Sequence, residues 1–102
     1  MAALGDVLAL SGATVREVGP SGEYKQLIIE LGTTTDNADT FTLDLTKYGC
    51  TRLSAIFGNE HSTDGSIVIT QAPTTSVTTN TVTVTIGGSN ANLTRTYVLW
   101  IR

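Results

Sequence analysis

Apolar and polar residues alternate strictly in two stretches of this chain. Apolar residues occupy every second position from Phe41 to Leu45 and from Val82 to Ile86, with threonine or aspartate between them. A period of two is typical of a half-buried β-strand, because successive side chains point to opposite faces. The pattern predicts two strands whose inward side chains form the core: Phe41, Leu43, Leu45, Val82, Val84 and Ile86.

The segment after the first of these strands predicts a compact turn and a second strand. Alternation breaks at Thr46, and Gly49 can adopt the positive φ that a tight reversal needs. A new apolar run then extends from Leu53 to Phe57 and stops at Gly58. We therefore expect a strand, a turn and a second strand that crosses from one sheet to another.

Further strands are expected at 15–18, 23–31, 66–71 and 93–102, and polar loops at 32–38 and 59–65. The threonine-rich segment 72–80 contains Pro73, so it is either a connection or a broken edge strand. Regularly spaced strands with turn residues between them predict an all-β fold. We expect a single domain over 1–102, a compact β-sandwich or small barrel of about seven or eight short, mostly antiparallel strands.

The last predicted strand is apolar on both faces. Tyr97, Leu99 and Ile101 share one side, while Val98 and Trp100 lie on the other. Either this strand is central between two layers, or Val98 and Trp100 contact another subunit.

The first ten residues carry aliphatic side chains without a clear period. Leu4, Val7 and Leu8 fit neither a regular helix nor a regular strand. Three alternatives follow: an interface arm that packs these side chains against a partner, an edge strand of the domain's own sheet, or a short helical turn. A basic segment is missing before the apolar residues, and Gly5-Asp6 interrupts them, so we expect cytoplasmic synthesis without a cleaved signal.

Composition favours a β fold and also narrows the classes of partner. Nineteen threonines favour extended backbone, because β-branched side chains pack well on a pleated surface. The net charge is −3, and the six basic residues are scattered rather than clustered, which argues against nucleic-acid binding. Every apolar segment is too short to span a membrane, so we expect no membrane partner.

Candidate chemistry is sparse in the sequence. Cys50 is the single cysteine, so it forms no intrachain disulfide, and we expect a small apolar side chain beside a turn. His61 lies in a predicted polar loop, and the chain contains no nucleophile-turn motif. The spacing of the carboxylates matches no calcium loop. We therefore expect no catalytic residue, cofactor or metal. The carboxylates considered are Asp36, Asp39, Asp44, Glu60 and Asp64.

From Asp39 onward the chain resembles small structural proteins of tailed bacteriophages. In those proteins an aspartate-leucine-turn-tyrosine-glycine element joins two strands, and a threonine-valine hairpin and an aliphatic last strand complete a β-domain. The matching segments here are 44–49, 74–77 and 80–87. The resemblance implies a virion component: a decoration protein on the capsid, or a small head–tail or tail part.

The same resemblance implies the partners and the location. A decoration protein would bind the major capsid protein or another virion protein, on the capsid surface, after assembly in the cytoplasm of a bacterial host. It would form a homo-oligomer, with a trimer favoured, because several weak contacts add through effective concentration. The expected contact residues are Leu4, Val7, Leu8, Val98 and Trp100.

A carbohydrate-binding module is the alternative from another functional class. Such modules present aromatic rings that stack on sugars, and this chain has six aromatic residues. Most of these take core-facing strand positions in the predicted alternation, which counts against the module. An enzyme ranks third, because the sequence offers no catalytic constellation.

Overall fold

The computed structural model describes residues 3–21, 24–63, 65–88 and 93–102, and it confirms the all-β prediction. The described residues form nine strands and two short 3₁₀ helices, and none of their helices is long and apolar enough to cross a membrane. The strands are β1 (Ala3–Asp6), β2 (Ala13–Ser21), β3 (Tyr24–Thr35), β4 (Thr40–Asp44), β5 (Leu53–Thr63), β6 (Ile67–Gln71), β7 (Thr74–Thr78), β8 (Thr81–Thr85) and β9 (Leu93–Ile101).

Two sheets form the β-sandwich. The four-stranded sheet has the order β1-β4-β8-β7, and the five-stranded sheet has the order β2-β3-β9-β5-β6. All neighbouring strands are antiparallel except β1 and β4, which are parallel. β9 is therefore the central strand of the larger sheet, and the adjacent strands β3 and β5 come from distant parts of the chain.

The core lies between the two sheets, and all six predicted core residues belong to it. Each of the six has at most 1% of its surface exposed. They pack against inward side chains of β3 and β9, and the rings of Phe41 and Tyr97 lie 5.4 Å apart across the core. The residues contributed by β3 and β9 are Leu27, Ile29, Leu31, Tyr97, Leu99 and Ile101.

The predicted turn after β4 is a 3₁₀ helix over Leu45–Tyr48. Asp44 caps its start by accepting a hydrogen bond from the Thr46 backbone N–H at 3.0 Å. Gly49 ends it with a φ of 71°, the left-handed conformation that favours glycine. Cys50 follows as a buried thiol that donates to the Tyr48 carbonyl at 3.4 Å. The chain then enters β5 in the other sheet, as the sequence predicts.

Two predicted loops are partly strand instead. β3 continues to Thr35, and β5 continues through Asn59, Glu60 and His61 to Thr63. The polar residues of β5 remain in the sheet because β9 and β6 pair with them on both sides. The polarity of residues 59–63 suggests a loop, but pairing with β6 and β9 on both sides keeps this segment extended.

The segment around Pro73 resolves to one of its two alternatives. β7 is an edge strand of the four-stranded sheet, paired only with β8 among the described residues. All five of its residues are exposed. Pro73 lies just before it, where the missing N–H costs no ladder hydrogen bond.

The N-terminal arm forms an edge strand of the domain's own sheet. β1 pairs with β4, and a 3₁₀ helix follows over Val7–Ala9, capped by the Asp6 side chain. Val7 is 1% exposed and part of the core, whereas Leu8 is 47% exposed. The arm thus has the geometry of the edge-strand alternative, and Val7 does not offer its side chain to a partner.

Val84→Asp is expected to unfold the domain. Val84 is fully buried, and an unpaired buried charge costs several kcal/mol against a total stability of about 5–15 kcal/mol. Thr83→Asp is the matched control, because that side chain lies on the outer face of the same strand. Thermal unfolding followed by circular dichroism measures both. A Val84→Asp protein that melts at the wild-type temperature would contradict the burial of this face.

Val7→Ala is expected to lower the free energy of unfolding by about 1.5–3 kcal/mol, because it removes two buried methyl groups and leaves a cavity. Leu8→Ala, at the exposed neighbouring position, is expected to change it by less than about 0.5 kcal/mol. Urea denaturation of the two variants provides the comparison. Equal effects at both positions would mean that the arm is not packed into the core in solution.

Candidate binding face

The outer face of the five-stranded sheet, which points away from the core, carries an apolar cluster at its centre. Residues directly opposite each other on paired strands share a face. Val98 of β9 lies between Ile28 and Phe57, and Trp100 lies beside Ala55. These five side chains alternate with the buried residues of the same strands, and we call them the apolar patch.

Phe57 is the most exposed large apolar side chain of the patch. It is 59% exposed, and its ring meets that of Trp100 edge-on, with centroids 5.3 Å apart and an interplanar angle of 87°. An edge-to-face pair of this kind is a favoured arrangement of aromatic rings. The pair keeps Phe57 in place on the surface while leaving more than half of it open to a partner.

Polar side chains border the apolar patch on the same face. Arg16 lies opposite Ile28, and Gln26 lies opposite Trp100. On the other side of the patch, Glu30, Thr96 and Asn59 form a polar row across three strands. An apolar centre within a polar border is the usual anatomy of a protein–protein interface.

His61 is held by hydrogen bonds on the strand rather than solvated in a loop, which corrects the expected placement. Its Nδ1 accepts from the Gly65 backbone N–H at 3.4 Å, and its Nε2 lies 3.1 Å from the Thr96 hydroxyl. Because a backbone N–H only donates, the ring proton of the neutral imidazole belongs on Nε2. A Ser-His-Asp triad needs the opposite arrangement, with Nδ1–H donating to a carboxylate.

A small cleft opens beside His61, where β3 bulges out of register between Leu31 and Thr35. Its volume of about 110 Å³ leaves room for a few water molecules. Pockets that enclose organic ligands span roughly 300–1,000 Å³. The cleft therefore suits solvent or a small polar group. Its lining residues are Glu30, Leu31, Gly32, His61, Thr94, Arg95 and Thr96.

Two of the candidate carboxylates, Asp39 and Asp44, serve a turn and a helix cap. Asp39 accepts from the Asp36 backbone N–H at 2.9 Å within a turn. Hydrogen bonds from the Thr46 hydroxyl and backbone N–H hold the pKa of Asp44 below its usual value. Glu60 is buried elsewhere, on β5, and Asp64 lies outside the described residues. Among the described residues no three His, Cys, Asp or Glu side chains could hold a metal together.

One end of the core is polar. Glu60 and Arg95 lie directly opposite each other on β5 and β9, and both are buried. Nearby, the Gln71 amide donates to the Tyr97 hydroxyl, and its oxygen accepts from the Gly87 backbone N–H at 3.0 Å. Gln71 thereby links the five-stranded sheet to the end of β8. Burial raises the pKa of Tyr97 to about 12, although the Gln71 hydrogen bond and the Arg95 charge oppose the increase.

The five residues expected to contact partners fall in two places. Val98 and Trp100 belong to the apolar patch, half-buried by their neighbours. In the arm, Leu4 packs against the core, Val7 is within it, and Leu8 remains exposed. The structure therefore brings Val98 and Trp100 together, but it leaves Leu4 on a strand of the other sheet and Val7 and Leu8 on the 3₁₀ helix that follows it.

Phe57 is the surface residue that the sequence pattern misplaces. The apolar run Leu53–Phe57 gives no clear phase, and the aromatics were expected mostly at core-facing positions. Pairing decides the phase: Ile56 lies opposite the buried Leu99, which turns Phe57 outward. Gly58, the next residue, faces the core, because a Cβ there would lie 2.9 Å from the Tyr97 ring.

No protein-family model, curated protein or solved structure matches this chain.

Tyr97→Phe is expected to lower the free energy of unfolding by about 1 kcal/mol at neutral pH, because the Gln71 amide loses its acceptor. In the wild type the folded-state pKa of Tyr97 is about 12 against an ordinary value of 10. Its contribution is therefore fully present below pH 10, and it is lost between pH 10 and 12, as the unfolded state releases its phenol proton first.

Urea denaturation across the alkaline range tests this linkage. The fall in stability above pH 10 should be smaller in Tyr97→Phe than in the wild type, by about 1–3 kcal/mol at the alkaline end. Absorbance titration of tyrosinate should also lose a late-titrating step in the variant. Parallel pH profiles for the two proteins would contradict the burial of the Tyr97 hydroxyl.

Proposed function

We propose that this chain is a structural protein of a tailed-phage virion that binds the capsid surface and stabilises the shell through protein contacts. The apolar patch carries the proposal. It exposes a phenylalanine and leaves a tryptophan partly exposed at the centre of a sheet face. Large aromatic side chains in such positions are enriched among the residues that dominate binding energy at protein interfaces.

The sheet makes the patch a rigid binding surface. Val98 and Trp100 lie on β9, which is hydrogen-bonded to β3 and β5 along both edges. A surface fixed in this way loses little conformational freedom on binding, so more of the free energy of burial appears as affinity. A rigid face repeated over many copies suits attachment to a shell that presents the same site many times.

The virion part of the proposal is supported by the resemblance to phage structural proteins. Segment 44–49 is the capped turn between the two sheets, and segments 74–77 and 80–87 belong to the hairpin of β7 and β8. These are elements that organise the sandwich. A small head–tail or tail part of the virion fits the same features and is the neighbouring version of this proposal.

A carbohydrate-binding module is the second candidate, because the outward placement of Phe57 and Trp100 removes part of the argument against it. Polar groups that could bond sugar hydroxyls border the rings, including Asn59 and Gln26. The edge-on geometry of the two rings weakens the candidate. Two perpendicular rings cannot both lie flat under one sugar chain.

Co-sedimentation with heads of the phage that encodes this chain tests the proposal. The wild-type protein should bind, and Phe57→Ser should weaken binding by about 10-fold or more, as for an aromatic anchor at an interface centre. Val77→Ser, an equally simple change at an exposed position on the other sheet, should bind as the wild type does. His61→Ala should also leave binding unchanged.

Heads that fail to bind the wild-type protein would overturn the capsid version. A glycan array then distinguishes the second candidate. Glycan binding that is lost in Phe57→Ser would identify the apolar patch as a sugar platform. Capsid binding that survives Phe57→Ser would show that another surface makes the contact.

A further inference from the structure

The free edge of β6 differs from the other sheet edges in what protects it. An edge strand exposes unpaired backbone groups, and proteins usually blunt it with charge, proline, a bulge or short length. β2 has Arg16, Glu17, Pro20 and a register shift, and β1 is only four residues long and ends at Asp6. β7 is almost entirely threonine and serine.

β6 has no charge, proline or bulge of its own, and unlike β7, which is equally short, it is largely aliphatic. Its sequence is Ile-Val-Ile-Thr-Gln, and among the described residues it pairs only with β5. Ile67, Val68 and Ile69 are 52%, 52% and 48% exposed. Three consecutive half-exposed aliphatic residues on an open edge form a template for another extended strand.

The inward face of this edge is also open. Ile69 lies opposite the buried Glu60, so Ile67 and Ile69 point to the core side of their sheet. On the other sheet, Val77 of β7 lies opposite the buried Val82 and also points to the core side, yet it is 44% exposed. The sandwich is therefore uncovered along the flank where β6 and β7 are joined.

Charge is absent from this flank. Between Asp64 and Arg95 the sequence contains no Asp, Glu, Lys, Arg or His. In an isologous contact about a two-fold axis, each residue near the axis meets its own copy, so any charge there would repel itself. A charge-free edge therefore suits such a contact. Because the chain as a whole carries a net charge of −3, two copies repel each other least when they meet through a surface without charges.

We propose that β6 pairs with β6 of a second copy of this chain, antiparallel and about a two-fold axis. The two five-stranded sheets become one continuous ten-stranded sheet, and the exposed isoleucines of each copy cover those of the other. A two-fold contact uses the edge of both copies, so the assembly closes as a dimer. The dimer differs from the trimer that the phage resemblance favours, and it does not depend on capsid binding.

The mass of the purified protein in solution is the first measurement. Light scattering after size exclusion should give a dimer, and the thermal midpoint should rise with protein concentration, because association stabilises the folded state by mass action. Hydrogen exchange should protect the amides of 67–71 more than those of β7, which has a free edge of similar length. A monomer, a trimer, or a dimer whose β6 amides exchange as fast as those of β7 overturns the proposal.

Ile69→Lys is the variant that targets the contact. Its side chain is half-exposed, so the lysine can reach solvent in the monomer, but pairing brings two such charges close to the axis. We expect a folded monomer whose thermal midpoint no longer depends on concentration. Ser76→Lys adds the same charge to the exposed edge strand β7 and should remain a dimer.

Thr70→Lys tests the same edge if Ile69→Lys folds poorly, because Thr70 is exposed on the outer face of β6. It too should be monomeric. A dimer that persists in Ile69→Lys or Thr70→Lys contradicts pairing through β6. A Ser76→Lys monomer would place the contact on β7 instead, which also contradicts the proposal.

Discussion

The pairing of β9 with β3 on one side and β5 on the other is the constraint on which the rest of the structure depends. It sets Tyr97, Leu99 and Ile101 against the four-stranded sheet and turns Val98 and Trp100 outward. A slip of one residue would exchange these two faces. The same pairing keeps the polar end of β5 extended. At the C-terminus, backbone hydrogen bonds between Arg52 and Arg102 continue the pairing of β5 and β9 past the end of β9.

The polar end of the core adds a second constraint that is steric as well as electrostatic. A Cβ on Gly87 would lie 2.3 Å from the Ala72 carbonyl oxygen, and one on Gly88 would lie 2.0 Å from a carboxylate oxygen of Glu60. Any side chain at either position would have to displace the corner between β6 and β7 or a buried carboxylate. Because Gln71 also bonds Gly87 and Tyr97, this corner joins the two sheets at one defined spacing.

The sequence predicted the fold best in strands with one buried face and one solvent-exposed face. Phe41–Leu45 and Val82–Ile86 alternate cleanly because their outer neighbours are threonines, so both strands and all six core positions were predictable. The extent of β5 was not, because Asn59 and His61 look like loop residues until β6 and β9 lie beside them. For the same reason the apolar patch emerged only in part: Val98 and Trp100 followed from alternation, but the orientation of Phe57 depends on pairing with a strand far along the chain.

The central position of β9 has a consequence for how the chain folds. β3 and β5 precede β9 by long stretches of sequence, and neither can complete its hydrogen bonding until β9 lies between them. Closing such long loops costs entropy before the contacts are made, so folding that depends on them is slow. In the interval the paired edges of β3 and β5 are bare, and the largely aliphatic segment 27–31 of β3 is exposed, so that incompletely folded chains can associate with one another instead. We therefore expect the insertion of β9 to be the step at which folding competes with aggregation, and a lower temperature or protein concentration during refolding to favour the native sandwich.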